Sequence, residues 1–478
     1  MSNLIKNELI KICKKKSTYI ILIITLVFIL LCNFMYKNSD NQMYSIGYDD
    51  EMIQYYEEQM PSPDDLENID MYIDMKSTLD MMKLTQKYGS NSWQTYVIQT
   101  QLGSDGDLHI INEYLYSPTK TVSEQEYNTA KKNYDDFIQK LDADDWRYFV
   151  SSELDAINKQ IEYEKKVTNT DNSNLYRLEI QKQALEWRLE KGISYESSFL
   201  NNCIEMYVNN NNLVYSYEHT NDHDYFDKQE YYSALNTVNK CKYYIENNIR
   251  NINDNDNRAI LLDLFDNYEL FILIFGIMIA GSIVSDEFSK GTIKLLLVRP
   301  YGRIKILLAK FIVCFIMLLL FIAIVAGAQF ILGGLIQGFD STTVPAVIYN
   351  FNTKQIETIN MVQYIVILTI AKLPMYILLM TLAFACSTIF TNTAVSIVIP
   401  LLGYMGAPLI NQLALGFDIK QVLYFVTPNW DFTERLFGGL PTFEGLSIPF
   451  SIIICLVYFL IMVITMFTVF KKRNIKNI

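Results

Sequence analysis

Long uncharged runs interrupt an otherwise polar chain. Tyr19 to Tyr36 carries no charge and is dominated by Ile and Leu. Leu270 to Ser285 is a shorter run, so its helix is expected to begin earlier, among Asp263, Asp266 and Glu269. Phe311 to Phe339 is free of charge, and so is Leu373 to Phe417, which is too long for one span. It accommodates the end of one helix, a turn near Thr391-Asn392-Thr393 and a second helix through Pro400. The helix before that turn starts near Met361 and contains Lys372. Gly445 to Phe470 is the last run. A bilayer core about 30 Å thick needs about 20 apolar residues in a helix, so the pattern predicts six transmembrane helices. The first run follows a basic leader, as a signal peptide does. It is long, however, and Cys32-Asn33-Phe34-Met35-Tyr36 is a poor small-residue cleavage site. A retained anchor is expected.

Between the first two spans the pattern changes. Val150, Leu154, Ile157 and Ile161 are spaced 4-3-4, one face of a helix. The turn-rich stretch Thr168 to Asn174 breaks it, and Leu178, Leu185 and Leu189 resume helical spacing beside Trp187. An antiparallel helical hairpin is predicted, its stripe read as core packing rather than a partner-binding face. The part up to Thr121, with Pro61, Pro63 and scattered Gly, shows no pattern that assigns it. The expected fold is an all-α membrane protein: six transmembrane helices plus a large, mainly α-helical extracytoplasmic domain between spans one and two. The expected divisions are 1–36, 37–262 and 263–478.

Charge supports two solvents. The chain has 478 residues, half of them hydrophobic, and a net charge of −12. Lys37 to Asp263 holds 41 acidic and 21 basic residues, a balance of −20, against +8 elsewhere. Lys and Arg near the span ends cluster in three places: Lys6 to Lys16, Lys290 to Lys305, and Lys471 to Lys476. With six spans all three fall on one side, expected to be the cytoplasm. The termini are then cytoplasmic and residues 37–262 extracellular.

Catalytic chemistry is sparse. The sequence has no G-x-x-x-x-G-K-[ST] phosphate loop. His219 and His223 are four apart beside Asp222 and Asp224, but spacing fixes no third ligand, and a solvated loop is expected rather than a metal site. Cys203 and Cys241 are the two cysteines of the outer block, and a disulfide between them is open. Gly327, Gly333, Gly334, Gly403 and Gly406 would allow close helix packing. Lys372 is the exceptional residue, because a charge at mid-membrane costs roughly 2.5–3.5 kcal/mol. It either faces the bundle, a water-filled path or an acidic partner, with Asp263, Asp266 and Glu269 as candidates, or snorkels to the outer interface.

The most informative segment runs from Ile283 to Lys310. A span ends at the acidic pair Asp286-Glu287, Gly291 breaks the pattern, a short amphipathic helix is predicted over Thr292–Val298, and Arg299-Pro300 ends it. Glu287, Gly291 and Thr292 form E-x-x-x-G-T, and Leu296, Leu297 and Pro300, followed by Arg303, form L-L-x-x-P with a basic residue. This stretch resembles the signature of the membrane subunits of ABC (ATP-binding cassette) transporters, in the type-two exporter class. The amphipathic segment Leu4 to Lys11, the six-span core and the basic tail Phe470 to Arg473 are also similar to that family. The likeness covers about residues 1–36 and 264–478. The outer block departs from the many members with a short loop there.

The resemblance implies a permease subunit that is not itself an enzyme. ATP and Mg would be bound by a separate nucleotide-binding ATPase subunit. The permease would act with a second copy or a homologous permease, among membrane lipids and without nucleic acid. It implies coupling through the loop 286–303, with Asp286, Glu287, Lys290, Gly291, Thr292, Lys294, Arg299, Pro300 and Arg303 as candidate residues. Glu287 and Lys290 would touch the ATPase, Gly291 would bend the chain, and Thr292 would cap the short helix. Lys372, Asp266 and Glu269 are the intramembrane polar candidates. The competing expectation is a sensor that binds an extracellular ligand through the outer block without transport.

Overall fold

The computed structural model describes all residues except 39–47, 49, 104, 120, 167–172, 221–224, 253–254, 293–301, 444 and 474–478. The chain forms two compact units, Met1–Ser39 with Asn251–Ile478, and Asp40–Arg250.

The first unit is an all-α membrane fold. Six helices are long and apolar enough to cross a bilayer: Lys16–Asn38, Leu264–Ser289, Arg303–Gln337, Met361–Phe390, Thr393–Gly416 and Ile448–Lys472. They are called spans one to six here. Spans two and four form the centre, where Phe265, Tyr268, Ile272, Tyr376, Ala383 and Phe384 are fully buried. Phe275 of span two stacks on Phe321 of span three at 3.9 Å. Spans one, five and six instead expose apolar side chains such as Ile23, Leu31, Leu402, Leu409, Ile453 and Ile464. A bilayer solvates such surfaces as water cannot.

Local chemistry sets the ends of these helices. Thr391 takes a left-handed conformation (φ 55°), and Asn392 caps span five by accepting from the backbone N–H groups of Ala394 and Val395. The turn expected at Thr391–Thr393 therefore stands where the sequence predicts it. Span two passes so near span five that a Cβ on Gly281 would lie 3.2 Å from the Ser396 carbonyl oxygen. Span three starts at Arg303, earlier than its uncharged run suggested, because Lys310 lies inside the helix and is paired.

Helix Asn257–Leu262 also belongs to the membrane unit, so the second unit ends at Arg250 rather than at residue 262. Arg258 of this helix donates to the carbonyl oxygens of Val344 (3.2 Å) and Pro345 (2.8 Å). It thereby holds the strand Ala346–Asn350, which pairs antiparallel with Gln355–Ile359. Among the described residues this hairpin is the one sheet. Asn33 of span one, Gln329 of span three, Asn257 and Tyr268 form a fully buried polar network. Asn33 and Gln329 exchange amide bonds of 3.0 and 3.1 Å, and Tyr268 donates to Gln329 at 2.6 Å. Gln329 also donates to Asn257 at 3.0 Å. Gly333 admits Asn257 to this site, since a Cβ there would fall 2.1 Å from its side-chain oxygen. Gly327, Gly403 and Gly406 face open space instead.

Among its described residues the second unit is built of helices joined by turns and loops, with no strand. The predicted hairpin is present as Trp146–Glu164 and Ser173–Lys191, with Val150, Ile157, Ile161, Leu178 and Leu185 buried between them. The earlier stretch also folds into helices, including Asp50–Gln59, Ile69–Tyr88 and Asp107–Tyr116. A second hairpin follows, Phe199–His219 and Tyr225–Glu246, with Cys203 and Cys241 both buried. Arg188 is almost fully buried. Its guanidinium lies over the Tyr195 ring and donates to the Ser194 carbonyl oxygen, and Tyr195 donates to Glu153. His219 stacks on Tyr215 at 3.9 Å, whereas His223, Asp222 and Asp224 lie outside the described residues.

Candidate functional site

The segment with the transporter-like signature leaves span two through a break. Span two runs as a continuous helix to Ile283, and a further turn, Ser285–Ser289, follows. The Ser387 hydroxyl of span four receives the Ser285 N–H at 2.9 Å, and the Ser285 hydroxyl meets Thr393 at 2.7 Å. The break is thus fastened to the junction of spans four and five.

An ion cluster lies beside it. The leading helix Ser2–Cys13 turns Leu4, Glu8 and Ile12 inward along one face. Glu8 meets Lys310 at 2.7 Å, and Lys310 meets Glu287 at 2.8 Å, with the lysine side chain only 4% exposed. Lys11 adds contacts to Glu8 at 2.9 Å and Glu287 at 3.2 Å. Lys15 pairs with Asp286 at 2.6 Å. Burial by itself raises the pKa of Glu8. The ammonium groups of Lys310 and Lys11 outweigh it and hold the carboxyl below its ordinary 4.5. A buried charge this well paired ties its helices in one arrangement, because removing one partner strands the other in a low dielectric.

The other signature residues divide. Lys290, Gly291 and Thr292 are exposed, and Gly291 has φ +68°, the conformation a bend by glycine requires. The Thr292 hydroxyl donates to the Glu287 carbonyl oxygen at 3.4 Å. Lys294, Arg299 and Pro300 lie outside the described residues, as does all of the short helix expected from Thr292 to Val298 except Thr292 itself. Arg303 starts span three and donates to the Arg473 carbonyl oxygen at 2.9 Å. Arg473 in turn donates to Thr388 at 2.6 Å and lies over the Phe288 ring. The leading helix, the signature segment and the C-terminal tail therefore converge at one end of the bundle.

A second cluster surrounds Lys372. Its ammonium contacts Glu269 of span two at 2.9 Å and Asp431 at 2.8 Å. Asp431 lies in the segment between spans five and six, which bends back so that the Phe432 N–H donates to the Ala371 carbonyl oxygen. Tyr404 of span five donates to the other Glu269 oxygen at 2.7 Å. Lys372 faces the bundle, as one of the two expectations had it. Asp266 is not its partner: it is exposed. Steps of three residues rotate around a helix by about 60° each, and of Asp263, Asp266 and Glu269 it is the last that meets Lys372. Burial opposes ionisation of Asp431, yet Lys372 and bonds from Thr433 hold its carboxyl below the ordinary 3.8. A cavity of about 330 Å³ adjoins this cluster, lined by Glu269, Tyr404, Trp430, Asp431 and Arg435 among others.

Glu8, Lys310 and Asp431 were not singled out from the sequence. Glu8 had a signal, a carboxylate on the apolar face of an amphipathic helix. Asp431 had none, because its role depends on how the segment bends back.

Comparison with known proteins places the membrane unit. Residues 226–476 match the family described as protein of unknown function (DUF2705). The chain belongs to this family. The match takes in spans two to six and both ion clusters except for Glu8, Lys11 and Lys15. Two Bacillus subtilis (strain 168) proteins are similar. "Uncharacterized protein YhcI" is 28% identical over 212 residues, which cover 44% of this chain and 67% of that protein. "Uncharacterized membrane protein YdbK" is 30% identical over 200 residues, covering 42% of this chain and 76% of that protein. No solved structure matches the chain.

Proposed function

We propose that this DUF2705 protein is the membrane-spanning permease subunit of an ATP-driven ABC exporter. A separate ATPase subunit, binding ATP and Mg, couples to it through the loop 286–303 between spans two and three, and the permease acts with a second copy or a homologous permease. Its termini and this loop are cytoplasmic, and the outer block is extracellular. The observation that carries the reading is the ion cluster of Glu8, Lys310 and Glu287, which fastens the leading helix to both spans that flank the signature loop. A push on such a loop moves span two, span three and the leading helix together, and a load-transmitting element requires that stiffness. Glu287 serves inside this fastening, since its side chain is buried against two lysines. Exposed Lys290 and Thr292 are left to meet the ATPase.

The test is ATP hydrolysis by a nucleotide-binding subunit encoded beside the chain, co-expressed and reconstituted with it in vesicles. The wild-type chain should stimulate hydrolysis, and Lys290→Glu should reduce that stimulation several-fold while insertion and thermal stability stay unchanged. Unaltered stimulation with Lys290→Glu, or no stable complex in mild detergent, would count against the assignment.

A further inference from the structure

A cavity of about 440 Å³ opens between the leading helix, the start of span one and span two. One wall is apolar: Ile12, Ile21, Phe275, Met278 and Ile279. The opposite wall carries Lys11, Lys15, Lys290 and Lys310 with Glu8, Asp286 and Glu287. Four ammonium groups face three carboxylates, so the polar wall has a surplus positive charge. Most of these charges already satisfy one another, and two groups remain. Glu287 accepts from Lys310 and Lys11 through one oxygen, while its other oxygen is buried with no hydrogen-bond partner. Among the described residues Lys290 has no ion-pair partner. Glu287 and Lys290 are three apart on a helical turn, neighbours at about 5–6 Å between Cβ atoms.

A buried carboxylate oxygen without a donor bears its full desolvation cost. A ligand that relieves it must bring a hydroxyl or ammonium. The same ligand must bring an anion for the surplus lysine charge and an apolar part for the facing wall. We propose that this cavity binds a phospholipid whose headgroup carries a hydrogen-bond donor beside its phosphate, glycerol or ethanolamine. The phosphate lies among Lys11, Lys15 and Lys290, the donor reaches the free oxygen of Glu287, and an acyl chain follows the wall of Phe275, Met278 and Ile279. A metal cation fits less well, because each carboxylate already faces a lysine. The inference is independent of the transport reading, since the geometry would bind lipid in a permease or in a sensor.

The experiment is native mass spectrometry of the full chain in detergent, titrated separately with palmitoyl-oleoyl phosphatidylglycerol, phosphatidylethanolamine and phosphatidylcholine. Choline offers no donor, so the first two should bind about tenfold more tightly than the third. Lys11→Ala/Lys15→Ala should weaken phosphatidylglycerol about tenfold, and Met278→Trp should lower binding of all three by filling the apolar wall. Glu287→Gln replaces the free acceptor by an amide that can also donate. It should bring the preference for donor-bearing headgroups close to one, a ratio that a general loss of stability does not produce. Equal affinity for the three lipids in the wild type would overturn the proposal, as would an unchanged ratio in Glu287→Gln. So would equally tight binding of glycerophosphoglycerol without acyl chains, which would mean a phosphate site rather than a lipid site.

Discussion

The two ion clusters of the membrane unit solve the same problem differently. Lys310 and Lys372 both sit inside apolar helices, and each is held between two carboxylates. Around Lys310 both carboxylates, Glu8 and Glu287, are on helices and nearly enclosed. Around Lys372 one carboxylate is on span two, and the other, Asp431, lies on a returning segment with its side chain 37% exposed beside a cavity. The first arrangement locks helices against one another. The second fastens a segment that solvent can reach, so one of its bonds can open without dismantling the bundle. Charge in a membrane is therefore not one kind of signal: its consequence depends on whether the partner is rigid.

Four measurements sharpen or break this contrast, in falling order of effect. Lys310→Met leaves Glu8 and Glu287 to share the half-exposed Lys11, and should destabilise the purified protein by about 3–5 kcal/mol. Adding Glu8→Gln should recover part of that loss; a thermal midpoint in detergent that ignores either change would remove the locking role. Lys372→Met should cost less, about 2 kcal/mol, because Asp431 can be solvated. Its main sign should be faster hydrogen exchange over residues 417–447, with spans two and four little changed. Gln329→Leu removes the centre of the Asn33–Tyr268 network and should cost about 1–2 kcal/mol by the same midpoint, a control for buried polarity without charge.

The smallest effect is in acid. Glu8 and Asp431 both have folded pKa values below their ordinary 4.5 and 3.8. A depressed carboxylate contributes stability that is complete above the ordinary value and lost as pH falls through the depressed one. Stability should therefore hold down to about pH 4.5 and fall below it. Glu8→Gln should flatten the upper part of that fall. Asp431→Asn should flatten the lower part and leave the rest. Identical acid curves for the wild type and Asp431→Asn would show that the Lys372–Asp431 pair does not form.

Much of the fold was legible in residue pattern. Five uncharged runs, one of them long enough for parts of two helices, mark six spans because a bilayer excludes charge over a fixed length. The 4-3-4 spacing from Val150 to Ile161 marks a helix whose face is buried, as found. The start of span three was not legible at Arg303, because Lys310 ends the uncharged run but not the helix. The helices before Thr121 were hidden because no single stripe of their residues repeats cleanly; Met81, Trp93, Val97 and Leu108 meet in a core assembled from several short pieces.

The sequence by itself determined the solvent of each segment, the number of spans, and that Lys372 required an explanation. Those are properties of composition and period, and they do not depend on which helix lies beside which. Only the tertiary structure decided the partners. It chose Glu269 over Asp266, brought in Asp431 from beyond span five, and turned Glu287 inward to Lys310 while leaving Lys290 outside. Ion pairs are fixed by distances of about 3 Å between atoms far apart in the chain. Such distances arise when helices pack, and no local pattern of residues encodes them.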